Sequence, residues 1–181
     1  MSLLGTAGNY DGSTYRYFQA GGIISTNFAS SNLPDNDATL SDIRTYSIPA
    51  RLLGDDGDSV EFEFLVTLSG SATPSKQVAL LFNTTTVYDS GAVTAITSGT
   101  MVVRGRVVRL TSATARVWVT VVTDVTAFAS ADTAKSADVA SLNLDTTAYS
   151  IALQGRSDGV GETLTDVQVH ASTMWWWSNK S

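Results

Sequence analysis

The chain of 181 residues has no cysteine, one histidine, three prolines and three lysines. Without thiolates there is no disulfide scaffold, no cysteine zinc site and no iron–sulfur cluster. Charged residues make up 15% of the chain, too few for a coiled coil or charged helical repeat, and 43% hydrophobic residues exclude a disordered one. Acids outnumber bases, 17 to 11, for a formal charge of −6 and a pI near 4.5. A nucleic-acid partner, whose phosphates need a basic face, is therefore not expected. The longest apolar run is Val78–Phe82, far short of the roughly 20 residues that cross a bilayer. The opening MSLLGTAGNYDG has neither the basic segment nor the apolar stretch of a signal peptide. These features predict a soluble protein made in a cytoplasm, with no membrane partner. Asn83-Thr84-Thr85 matches a glycosylation sequon; with no secretion signal it reads as a chance match.

Glutamate is scarce as well, at positions 61, 63 and 162 only, whereas Ser and Thr together form about a quarter of the chain and Val is abundant. Thr and Val are stiff at χ1 and suit a pleated surface, while the strong helix formers Glu and Lys are missing. The composition predicts an all-β protein.

Residues 1–40 read differently from the rest. Gly5, Gly8, Gly12, Gly21 and Gly22 break up a stretch dotted with Tyr10, Tyr15, Tyr17 and Phe18, and Asn32–Asp37 closes it with turn-forming residues. Such a segment cannot build a core, yet its aromatics favour burial against something. It reads as an N-terminal arm that packs on a neighbour, with Gly22–Ala29 as a first strand; a disordered tail is the alternative.

From residue 41 a period of two takes over, and residues 41–181 are expected to form one domain. Val60, Phe62, Phe64, Val66 and Leu68 alternate with Ser59, Glu61, Glu63, Leu65 and Thr67, the mark of a strand with a core face and a mostly wet face. Asp42–Leu53 precedes it, with Tyr46 and Ile48 on one face and Pro49 placing it at a sheet edge or bulge. Gly54–Asp58 between the two reads as a hairpin turn. Further strands are expected at 77–82, 85–88, 101–111, 115–124, 147–154 and 163–173. In 115–124 the second face, Arg116, Trp118, Thr120 and Val122, is apolar enough to call for cover. Arg104 and Arg106 share a face with Val102, Val108 and Leu110, a setting in which guanidinium groups pair with carboxylates. Residues 127–145, rich in Ala, Ser and Thr, read as a short helix or a long loop. Eight or nine short strands with turns between them predict a β-sandwich or jelly roll.

Chemistry is sparse. There is no Gly-x-Ser-x-Gly elbow, no Walker loop and no GxGxxG, and His170, the sole imidazole, lies in a predicted strand with no nucleophile motif to serve. Glu61 and Glu63 project the same way, roughly 7 Å apart by strand geometry, a spacing compatible with glycoside hydrolysis. Alternating Glu on a wet strand face is the plainer reading. Asp55, Asp56 and Asp58 could gather Ca²⁺, but tight turns favour Asp too. No enzymatic activity, metal or cofactor is expected. The feature that resists a plain reading is Trp175-Trp176-Trp177, immediately after the last predicted strand. Three adjacent indoles cannot share one sheet face, and exposing them in a monomer invites aggregation. Subunit contact, sugar stacking and internal packing remain as readings, with the first preferred.

The succession YSIPARLLGDDGDSVEFEFLVTLSG, QVALLFNTTTVYDSGAVT, TMVVRGRVVRLTSATARVWVTVVTD and TAYSIALQGRSDGVGETLTDVQVHAST resembles bacteriophage virion accessory proteins with a trimeric jelly-roll domain similar to tumour necrosis factor. The likeness covers about 70% of the chain, roughly Thr45 to Thr173. Such proteins serve as head decoration or cement proteins, head fibres, and tail-fibre tips. The resemblance implies an all-β jelly-roll β-sandwich with an extended N-terminal arm, assembling as a homotrimer on the virion. Its partners would be further copies of itself and the major capsid protein or other virion proteins. Tyr10, Tyr15, Tyr17 and Phe18 are the expected docking residues, and Trp118, Trp175, Trp176 and Trp177 the expected trimer contact. A tail-fibre or tail-knob tip that recognises host-surface glycan is the alternative.

Overall fold

The computed structural model describes residues 9–10, 15–16, 21–34, 38–128 and 134–179, and every regular element among them is a strand. Two short strands, β1 (Asn9–Tyr10) and β2 (Tyr15–Arg16), pair only with each other. Ten more follow: β3 (Gly21–Asn27), β4 (Ser41–Ile48), β5 (Ser59–Ser69), β6 (Ser75–Phe82), β7 (Thr85–Asp89), β8 (Ser98–Thr111), β9 (Thr114–Thr123), β10 (Ala134–Val139), β11 (Tyr149–Asp158) and β12 (Val167–Trp177). They form a six-stranded sheet in the order β10-β9-β8-β5-β12-β3 and a four-stranded sheet in the order β4-β11-β6-β7. All pairings are antiparallel.

The two sheets bury their apolar faces against each other, a β-sandwich. Strand β5 supplies the centre: Val60, Phe62, Phe64, Val66 and Leu68 all point inward and are buried. They meet Tyr46 and Ile48 from β4, Val78, Leu80 and Phe82 from β6, and Ile151 and Leu153 from β11 in one continuous core. Tyr46 stacks on Phe64 with ring centres 5.9 Å apart, and Phe62 lies 6.0 Å from Phe64.

Three expectations need correction. Gly54–Asp58 is a tight turn, but not a hairpin: β4 pairs with β11 in one sheet and β5 with β8 and β12 in the other. The turn therefore carries the chain across the sandwich. Arg109 of β8 fixes it, donating to Asp56, to Asp145 and to the Leu53 carbonyl. Second, residues 134–139 are neither helix nor loop; they form the edge strand β10, whose Lys135 amine sits 5.5 Å from the Tyr88 ring centre. Small, Ser-rich sequence adds a strand when β9 offers an open edge, a tertiary effect that local composition does not carry. Third, the last strand runs to Trp177, so the three indoles lie within β12 rather than after it.

Two buried polar groups bear on the loops at one end. Lys76 is fully buried and donates to the carbonyls of Ser71 (2.6 Å) and Ile96 (2.8 Å). Asp166, also buried, accepts from the hydroxyls of Ser157 and Thr163. Burial pushes the Lys76 ammonium below its ordinary value of 10.5, with the Asp166 charge opposing the shift. The unfolded chain thus holds this proton more tightly, and the contribution to stability rises with pH and levels off only above about 10.5, once both states have lost it. In denaturant titrations the native sequence will gain on Lys76→Met as pH climbs from neutrality towards that value. Parallel curves for the two chains would show that the buried amine carries no such penalty.

Candidate functional site

Strand alternation sends every second residue of β5, β8, β9 and β12 to the outer face of the six-stranded sheet, and the register decides which of them meet. One row across the sheet reads Ile23, Trp175, Glu61, Arg106, Trp118, Ser136, each directly opposite the next. The adjacent row reads Thr173, Glu63, Arg104, Thr120, Ala134. Two carboxylates thus stand in one column on β5 and two guanidinium groups in the next column on β8. An indole flanks each side.

The apolar members of this face are poorly covered in the single chain. Trp118 and Trp177 each keep 43% of their surface, Ile23 61%, Val122 51% and Leu65 38%. Between the indoles lies a shallow trough of about 370 Å³ lined chiefly by Glu61, Glu63, Arg104, Arg106, Trp118 and Trp175. The charges in it are loosely matched. Arg104 Nη2 lies 3.2 Å from Glu63, and Arg106 Nε lies 3.8 Å from Glu61, with all four side chains about half exposed. Arg106 also donates to Ser59 Oγ. By contrast, Arg116 and Asp138 close a two-pronged fork at 2.6 and 2.7 Å. Hydrogen bonds from that guanidinium hold the Asp138 carboxyl below the usual carboxylate range. Arg116 also lies over the Trp118 ring at 5.9 Å.

The Trp run splits as a strand requires. Trp175 and Trp177 face outward, while Trp176 packs against the core with its indole nitrogen buried and unpartnered. So Trp118, Trp175 and Trp177 share one face and Trp176 does not. Among the docking residues read from the sequence, Tyr17 and Phe18 lie outside the described residues. Tyr10 and Tyr15 are paired across β1 and β2.

No protein-family model matches the chain. No curated protein matches it either. Among solved structures it is similar to the CBM2 module of the evolved Dit of Lactobacillus casei BL23 phage J-1, at 9% identity and a TM-score of 0.41, over 88% of this chain and 97% of that one. It is also similar to the T13 particle of IBDV, at 12% identity and a TM-score of 0.28, over 93% of this chain and 34% of that one. At these scores neither likeness bears on function.

The remaining candidates sit elsewhere. His170 falls at a β-bulge of β12, its Nδ1 3.0 Å from Ser30 Oγ and its Nε2 2.7 Å from Thr67 Oγ1. It joins the segment after β3 to β5. Asp58 accepts the backbone amides of Asp55 and Asn179, and Asp56 accepts from Arg109, so these two carboxylates serve the inter-sheet turn. Asn83 occupies the β6–β7 turn with a positive φ of 55°, a conformation Asn tolerates.

One structural residue escaped the sequence reading. Arg44 of β4 is buried, and its guanidinium donates to the carbonyls of Asn27 and Ala29, to Ser172 Oγ at 2.9 Å and to the Ser31 hydroxyl. Beside it, Tyr46 hydroxyl meets Ser172 Oγ at 2.6 Å. Together they tie β4 of one sheet to β12 and the end of β3 in the other. The period-two signal that put Tyr46 and Ile48 inside also puts Arg44 there.

Proposed function

We propose that this chain is a non-enzymatic structural protein of a bacteriophage virion, a homotrimeric jelly roll that decorates and cements the head. Its localisation would be the assembled particle, and its partners further copies of itself and the major capsid protein. The strand order supports the jelly-roll reading: β3-β12-β5-β8 lies over β4-β11-β6-β7, eight strands in two four-stranded layers, with β9 and β10 extending one of them. The observation that carries the proposal is the outer face of the six-stranded sheet. Half-exposed indoles and aliphatics gathered on one side of a chain of net charge −6 are the surface that association would cover. That face is itself balanced, with Arg104, Arg106 and Arg116 against Glu61, Glu63 and Asp138. Copies that repel one another through their acidic remainder can approach here.

A second reading rests on the trough. Two indoles about 14 Å apart, three strand spacings, over a floor of carboxylates and guanidinium groups could stack and hydrogen-bond the sugars of a host-surface glycan, as a tail-fibre tip would. Mass tests the trimer, and only the tail-tip reading expects the purified protein to block phage adsorption. Light scattering on a size-exclusion column should give three times 19.1 kDa. The double variant Trp118→Ala, Trp175→Ala should weaken assembly at least about 30-fold for each indole buried at a hot spot. A native chain that runs as a clean monomer overturns the trimer and puts glycan binding first. Cementing itself fails if particles lacking this protein survive heat and chelators as well as complete ones do.

A further inference from the structure

The row Trp175–Glu61–Arg106–Trp118 is symmetric in size and antisymmetric in charge. We propose that it is a self-recognition code for a second copy of this chain, in which the Arg104 and Arg106 column of one copy pairs with the Glu61 and Glu63 column of the next. This rests on the reading of the outer face as the subunit contact and adds what sets its register.

The argument is geometric. A rotation axis that runs along the strands, over the boundary between β5 and β8, brings the right half of one face against the left half of its neighbour at the same height. Arg106 then meets Glu61, Arg104 meets Glu63, and Trp118 meets Trp175. Nothing like-charged is opposed. A copy docked with its strands reversed, or slipped by one strand, sets at least one charged column against its own kind, which costs binding.

The in-chain geometry leaves these groups able to do it. A guanidinium carries five donors in a fork, yet Arg104 and Arg106 each touch their in-chain glutamate through one nitrogen, at 3.2 and 3.8 Å, in half-exposed surroundings. The Arg116–Asp138 fork on the same face is closed with two short bonds, so open geometry is not a general property of this surface. Exposed pairs of the open kind contribute little to the single chain. They become directional only when a neighbour excludes water and offers the second carboxylate.

The test keeps every in-chain pair and moves only the columns. In the fourfold variant Glu61→Arg, Glu63→Arg, Arg104→Glu, Arg106→Glu, each guanidinium still faces a glutamate within the chain, and the variant still complements itself. Against the native chain, however, every contact becomes like against like. Native and variant chains carrying different affinity tags are co-expressed and the mass and tag content of the assemblies are read. The expected result is that each assembles with itself to the native mass and mixed assemblies fall at least tenfold below the random share. Free mixing overturns the code while leaving the trimer reading intact. A folded variant that cannot assemble with itself also overturns it, because the columns would then do more than complement. A native chain that is monomeric sinks the underlying reading instead. Should the fourfold variant fail to fold, the single-row swap Glu63→Arg, Arg104→Glu gives the same discrimination with a smaller depletion.

Discussion

Replacing Arg44 with methionine will lower stability by about 3 kcal/mol, or roughly 6–12 °C in melting temperature for a chain of this size. Methionine fills most of the space but leaves the carbonyls of Asn27 and Ala29 and the hydroxyls of Ser31 and Ser172 without their shared donor. The charge has no carboxylate partner among those bonds, so its burial is offset by neutral acceptors alone, and removing it unties two sheets at once. Amide hydrogen exchange along Gly21–Asn27 should speed up more than exchange in β5, because the released bonds lie at the end of β3. Arg44→Lys keeps the charge without the fork and should recover only part of the loss. Unchanged exchange in β3 together with an unchanged denaturant midpoint would show that the guanidinium is a passenger.

Gly105→Ala should be as damaging, for the opposite reason. Gly105 lies in β8 between Phe62 on β5 and Val119 on β9. A Cβ there would stand 2.3 Å from the Trp118 carbonyl oxygen and 2.5 Å from Phe62 Cζ. The ring could rotate away, but the carbonyl belongs to the sheet ladder and cannot move without breaking it. The expected cost is about 3 kcal/mol, and strand β9 should shift outward with Trp118 on it. Adding Phe62→Leu should return part of the stability by removing the ring tip, which a double-mutant cycle would read as coupling. Additive losses would mean that the backbone clash alone decides the outcome.

Much of the sandwich is legible in the sequence. The alternation of β5 is strict because one of its faces is dry and the other wet, and the reading of Val60 to Leu68 as core followed directly. Pro49, just after β4, points to an edge or a bulge, and β4 is an edge strand. What local pattern could not supply was the partner of each strand. Gly54–Asp58 has the residues of a hairpin turn, and the same residues serve equally well to cross between sheets; long-range pairing chose the second. Strand β10 offers the core only Ala137 and Val139, too short an alternation to read locally, and the open edge of β9 supplies its partner. The last strand reads as ending at Thr173 and runs on to Trp177, and the alternation that keeps three adjacent indoles off one face divides them two out and one in. Arg44 was missed although its spacing from Tyr46 and Ile48 placed it inside, since an arginine on a core face looks like an exception until its acceptors on the far sheet are known. The pairing of Arg104 and Arg106 with carboxylates was anticipated from their mixed setting, and Glu61 and Glu63 supply it.

The order of attachment along β3 has a mechanical consequence. A pull from the upstream segment enters at Gly21, opposite Trp177, and must pass the pairs down to Asn27 and Ser172 before it reaches the carbonyls gripped by Arg44. The strand can be peeled from the sheet edge while β12 stays held by β5 on its other side. Load would therefore be absorbed by one sacrificial strand, with the guanidinium as the stop beyond which the two sheets themselves begin to part.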